Sequence, residues 1–277
     1  MKTLILALAL IFISTPAMAQ KKGKESAYER VMRTGTLKCG IMLWPPYFEA
    51  DANTGKISGM GADLFDAMGK LIDLKIEYTQ IIVGQQVEEL RSGRIDAVCN
   101  DGPYVFSAIK FVDYSDAAYY APAYVYVSAD DDRFHEAGDI NNAAYTVLGI
   151  DGDITLILAE RNFPQAKRVS LPAITDASSL LLSIVTKKDD ATITDPLLVD
   201  GFNATNKPGL KALSGADPVA VYPIGFSTRK GEQELLNMLN AGIAALWNTN
   251  TAEKILRQYS PDGKAFMPIA KPYERLK

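Results

Sequence analysis

Histidine occurs once, as His135, and cysteine twice, as Cys39 and Cys99. That scarcity excludes a His- or Cys-rich metal cluster and a disulfide framework. It excludes a Ser/His/Asp centre unless His135 is the base, and His135 sits in the acidic stretch ADDDRFHEAGD, where a solvated side chain is the simpler reading. An excess of basic residues is missing too. The formal net charge is -4, which disfavours nucleic acid and anionic membrane as partners. Nothing after residue 19 approaches the ~20 apolar residues of a membrane span. The one concentrated apolar run, Leu4–Ile13, follows Lys2 and precedes Pro16-Ala17-Met18-Ala19. It reads as an export leader over residues 1–19, with an A-x-A-like cleavage site. The expectation is a soluble periplasmic protein starting at Gln20. No cysteine follows the cleavage site, so no lipid anchor is expected.

What is present is organised around GTLKCGIMLWPPYF, residues 35–48. A strand over 37–42 runs into Pro45 and Pro46, which end it because each lacks an N–H and has a fixed φ. Trp44, Tyr47 and Phe48 are thereby delivered at the carboxyl end of a strand, where ligands bind in open α/β sheets. A turn-rich stretch follows, then a helix over 61–72, a strand over 74–82, a helix over 85–92 closed by Gly93, and a strand over 95–99. This is a β-α-β-α-β unit, the pattern of a parallel sheet with right-handed crossovers. Such an order lets the strand carrying Cys99 lie beside the one carrying Cys39. A disulfide is then geometrically open, as is a pair of buried thiols.

The pattern restarts after the acidic break at 130–139. Strands over 144–150, 166–170 and 191–194 alternate with helices over 155–160 and 175–186, and the unit ends at Asp195-Pro196. The extended runs 119–127 and 219–227 read as two crossings between lobes. Helices over 232–246 and 252–258 then complete the first lobe. The expected fold is α/β with two lobes: 20–122 plus 224–277, and 123–223. Two connecting strands make a hinge and place facing loops across a cleft.

These pieces resemble bacterial extracellular solute-binding protein family 3, the amino-acid-type periplasmic binding proteins of ABC importers. The resemblance rests on GTLKCGI with PPYF, TGKISGMGADLFDAMGKL, VEELRSGRIDAV, FVDYSDAAYY, IGFSTRKGEQELLNMLNAGIAAL and ILRQYS. It covers essentially the whole chain after the leader and implies the type II periplasmic-binding-protein fold. It implies Tyr47 as a ligand-stacking residue, with Trp44 beside it. It implies ligand contacts from Asp101, Gly102 and Tyr104 after the third strand. In the second lobe it implies a carboxylate seat at Gly152, Asp153, Ile154 and Thr155, and Asp195 as partner of a ligand ammonium. The implied partners are a small-molecule ligand and an ABC permease. A monomer is expected, with no cofactor, no metal and no catalytic residue.

Two departures bear on the ligand. Counting back from Ser115, the position where such proteins carry a carboxylate-gripping Arg falls on Ala108, with Lys110 two residues away. Asp151 and Asp153 flank Gly152, where an anion seat would avoid negative charge. Either they meet a cation, or Asp153 caps the next helix and Asp151 is solvated. The set suits a small polar or amine-bearing ligand held by ion pairing and cation–π contact. Two other readings stay open. One is a cyclohexadienyl-dehydratase-like lyase using Glu49, Asp101, Asp153 or Asp195 as general acid. The other is a sensor or accessory protein with a degenerate cleft.

Overall fold

The computed structural model describes residues 25–102, 106–213, 217–267 and 269. The leader and Tyr104 lie outside that set.

Helix α1 (Ala27–Thr34) opens on a capping box: Glu29 N–H donates to Ser26 Oγ, and Ser26 N–H to Glu29 Oε2. This satisfies two of the donors that every helix start leaves orphaned. Strand β1 (Thr36–Ile41) follows, then a hairpin of β2 (Glu49–Ala50) and β3 (Ile57–Ser58), helix α2 (Met60–Leu71), strand β4 (Lys75–Gln80), helix α3 (Gln86–Ser92) and strand β5 (Ala97–Asp101). Strand β1 is central, parallel to β4 on one side and β5 on the other. Helix α2 buries Leu64, Phe65 and Met68, an i, i+1, i+4 stripe.

After the short strand β6 (Val112–Tyr114) comes β7 (Tyr119–Ser128). The second unit comprises β8 (Thr146–Ile150), α4 (Thr155–Asn162), β9 (Lys167–Leu171), α5 (Ala177–Val185), β10 (Thr192–Thr194), α6 (Pro196–Thr205) and β11 (Leu210–Ala212). The chain returns in β12 (Ala220–Arg229) and closes with α7 (Gln233–Asn248) and α8 (Thr251–Tyr259). Strands β7 and β12 pair antiparallel over 119–123 and 220–224. The far half of β7 pairs β10 and β11, whereas the far half of β12 pairs β5 and β6. These two ten-residue strands are the only ladder between the two β-α-β units among the described residues.

Each unit buries its own apolar interior. The first packs Phe65, Phe226, Leu239 and Ile243 between α2, α7 and β1. The second holds Val125, Val147 and Leu158 under α4, and Leu180, Leu181 and Leu198 under α5 and α6. Cys39 and Cys99 are joined as a disulfide between β1 and β5, with Cα atoms 5.6 Å apart and both side chains buried.

Helix α6 and strand β11 are absent from the sequence reading. The helix had a signal: Asp195 at the N-cap followed by Pro196 at the first helical position. The proline was read as an end rather than a beginning.

Candidate functional site

The loop after β1 is held by main-chain bonds. Trp44 N–H donates to Phe48 O (3.0 Å), and Tyr47 N–H to Trp44 O (2.8 Å). The first N–H groups of α2 then donate into the loop, Met60 to Pro46 O (2.9 Å) and Gly61 to Tyr47 O (2.8 Å). A helix start that would otherwise need a cap is thus capped by the loop it supports. Gly59 makes this approach possible. Its φ is +112°, and a Cβ there would come within 2.6 Å of Pro46 O and Tyr47 O. Phe48 is buried against Phe65 and Tyr78 and anchors the loop.

Facing this loop is the start of α6. Asp195 caps it, Oδ1 accepting from Leu198 N–H at 2.9 Å. The same carboxylate reaches across the cleft. Tyr47 OH donates to Oδ1 at 2.9 Å and Trp44 Nε1–H to Oδ2 at 3.2 Å. All three donors are neutral. Burial drives the Asp195 pKa upward, and the bonds from Leu198, Tyr47 and Trp44 oppose that shift in part.

Around these three residues lies a cavity of about 160 Å³. Its walls come from the β1 loop, from β7 and β12 (Tyr119, Ala121, Tyr222, Ile224), from Asn100, and from the second unit (Gly152–Thr155, Ile193–Asp195). The other expected residues fall on both sides of this boundary. Gly152 lines the cavity with φ +87°, where its α-carbon faces Gly84 of the first unit. Asp153 lines it too, but its carboxylate is turned to its own backbone, accepting from Thr155 N–H (2.7 Å) and Ile150 N–H (3.2 Å). Thr155 is buried in the wall, and its hydroxyl donates to Ile193 O at 2.9 Å. Asp151 is exposed.

Asp101 and Gly102 are not among the described lining residues of this cavity. Asp101 is buried inside the first unit, its oxygens accepting from Gly102 N–H and from the Ser227 hydroxyl on β12. The cavity receives Asn100 instead, a residue the sequence reading passed over, and Tyr119 OH donates to its Oδ1. Ala108 lies in a 3-10 turn, and Lys110 is exposed. Glu49 is an exposed residue of β2.

Burial pushes the pKa of Asp101 up to about 6, against the lowering effect of its bonds to Ser227 and Gly102. Asp153 is pushed up to about 6 as well, first by burial. Between about pH 4 and 6 these two carboxyls hold protons in the folded chain that they have lost in the unfolded one, so their contribution to stability falls as pH rises through that window. Urea unfolding should show the ligand-free protein about 1–2 kcal/mol more stable at pH 5 than at pH 7.5 on account of Asp101 alone. Asp101→Asn should remove that share of the slope.

Residues 37–262 match the family model described as bacterial extracellular solute-binding proteins, family 3. The chain belongs to this family. The L-cystine-binding protein TcyA of Bacillus subtilis (strain 168) is 21% identical over 273 residues, covering 94% of this chain and 97% of that protein. The crystal structure of the ancestral amino acid-binding protein AncCDT-1, a precursor of cyclohexadienyl dehydratase, superposes with a TM-score of 0.73 at 24% identity, covering 84% of this chain and 99% of that one. The P235GK mutant of ArgBP from T. maritima superposes with a TM-score of 0.72 at 21% identity, covering 85% and 99%. The architecture is that of the type II periplasmic binding proteins, mixed α/β with a mixed sheet in which the central β1 runs parallel to both its neighbours. Among the described residues of this family member, no helix is long and apolar enough to cross a membrane, and no group of three or more His, Cys, Asp or Glu could hold a metal ion.

Proposed function

We propose that this solute-binding family member is a periplasmic receptor that captures a small polar or amine-bearing solute in its cleft and delivers it to an ABC importer. The observation that carries this reading is Asp195. Among the described residues it is a half-buried carboxylate with three neutral donors and no cationic partner, framed by Trp44 and Tyr47 from the opposite wall. Residues 1–19 act as the export leader. Lobe one spans 20–122 and 224–277, lobe two spans 123–223, and β7 and β12 are the hinge. A ligand touching both lobes stabilises the closed form through its differential affinity for that form. The closed monomer then docks on the permease, and no turnover occurs.

A thermal-shift screen of amines, amino acids and small aromatic solutes tests this. A ligand at a hundred times its Kd should add about 2.7 kcal/mol of stability. Silence across the whole panel from folded protein would sink the receptor reading.

A second reading, a lyase on the same scaffold, has one feature in its favour. Asp153 and Asp195 are cavity carboxylates with raised pKa values, as a general acid requires. Against it, the described lining offers no Lys or Arg to hold an anionic ring acid. Incubation with prephenate or arogenate should leave the substrate intact.

A further inference from the structure

We propose that Asp153 fills, with its own side chain, the place where a ligand carboxylate would sit, so that the cleft selects small organic amines that carry no carboxylate. This rests on the receptor reading.

The start of a helix is a ready-made anion site, because its first N–H groups point outward without partners. At the cavity end of α4 the first of these donors is already engaged. Thr155 N–H is held by Asp153 Oδ1 at 2.7 Å, and Ile150 N–H, at the end of β8, by Oδ2 at 3.2 Å. The Thr155 hydroxyl, another donor of this wall, is committed to Ile193 O at 2.9 Å. A ligand carboxylate entering here would lose these partners to Asp153 and would meet its negative charge. The other polar side chains of the wall, Gln86, Asn100 and Thr194, carry no positive charge to offset it. The described lining contains two carboxylates, Asp153 and Asp195, and no Lys, Arg or His. Arg161 acts on the Tyr222 hydroxyl, but it is exposed at the far end of α4 and is not in the lining.

The opposite charge is welcome. A carboxylate has about four acceptor positions. Asp195 uses two on Oδ1, for Tyr47 OH and Leu198 N–H, and one on Oδ2, for Trp44 Nε1–H. Oδ2, the less engaged of the two oxygens, is the acceptor for an ammonium, at the polar edges of Trp44 and Tyr47. Most of the rest of the wall is apolar or aromatic, including Met42, Tyr119, Ile193 and Ile224, with Gln86, Asn100, Thr155 and Thr194 as its neutral polar residues. At about 160 Å³ the cavity is close to the ~150 Å³ that accommodates benzene in an engineered apolar site. The occupant is therefore a monoamine with a body of about one ring.

Calorimetric titration of the purified full chain with amine and amino-acid pairs differing only by the carboxylate tests this: 2-phenylethylamine and phenylalanine, tyramine and tyrosine, 3-methylbutylamine and leucine. At least one amine should bind ten-fold or more tighter than its amino acid. Equal or tighter binding of the amino acids overturns the inference and leaves the receptor reading standing. Silence of all three pairs overturns it too, and the wider solute panel then decides whether the receptor reading survives. Asp153→Ala opens the seat, so the amine preference should shrink at least five-fold. Asp153→Asn, which keeps the shape, should shrink it less. A preference unchanged in both variants, with melting curves showing them folded, overturns the assignment to Asp153. If either variant fails to fold, the wild-type pairs still decide the ligand class.

Discussion

Asp195→Asn is expected to cost a captured amine about 2–3 kcal/mol of affinity, roughly a hundredfold, the scale of a hydrogen bond to a charged group. The substitution isolates charge from structure. Asparagine is as good an N-cap as aspartate, so α6 should keep its start, and the amide oxygen can still accept from Leu198. The negative charge that an ammonium needs is gone. Because burial raises the Asp195 pKa, the charged form is costly in the folded protein, and removing it should leave unfolding stability equal or slightly higher. Wild-type affinity for an amine should also fall as pH is lowered, beginning above the ordinary carboxylate range, and the asparagine variant should lose that dependence. Asp195→Ala should show the affinity loss together with about 1 kcal/mol of lost stability from the missing cap. Calorimetric titration across pH, paired with urea unfolding of each variant, separates these effects. Unchanged affinity in Asp195→Asn would remove Asp195 from the site.

Removing the Cys39–Cys99 cross-link should lower unfolding stability by about 4 kcal/mol. The bridge closes a loop of 60 residues, and restricting a loop of that length in the unfolded chain accounts for a stabilisation of about that size. The position adds to its importance. Cys39 lies on β1, whose end launches the Trp44–Phe48 loop, and Cys99 lies in the cavity wall next to Asn100. The test is urea unfolding of the Cys39→Ala/Cys99→Ala protein. Alanine avoids burying a hydroxyl at two fully enclosed positions. Intact mass with and without reductant under denaturing conditions reports the bond directly. A double variant as stable as wild type, or a mass showing two thiols, would contradict the bridge.

The solute-binding family's scaffold is legible because each of its signals is local. The alternation of apolar runs with 3.6-periodic stripes, such as Leu235, Leu239, Ile243 and Leu246 of α7, marks β-α-β units wherever they fall in the chain. Two prolines in a row end a strand by their own covalent geometry, so the aromatic loop could be placed without its neighbours. The two long extended runs mark the crossing between the two units, since they exceed the strands on either side. Helix α6 shows the limit of this reasoning. Asp195-Pro196 closes one element and opens the next, and the sequence does not say which of the two the proline serves.

The site itself was divided by tertiary structure. Asp101, Asp153 and Asp195 stand at equivalent places, each just after a strand or at its end, and the sequence offered no ground for ranking their directions. The fold gave each a different partner. Asp101 meets Ser227, 126 residues away, and turns into the core. Asp153 meets the amides of its own turn. Asp195 meets Tyr47, 148 residues away, across the cleft. A carboxylate goes where donors satisfy it, and those donors come from chain segments that only folding brings together. The sequence by itself determined two β-α-β units, two crossings and an aromatic loop at a strand end. Only the packed structure decided which carboxylate faces the cleft, because side-chain direction is set by long-range hydrogen-bond partners rather than by spacing along the chain.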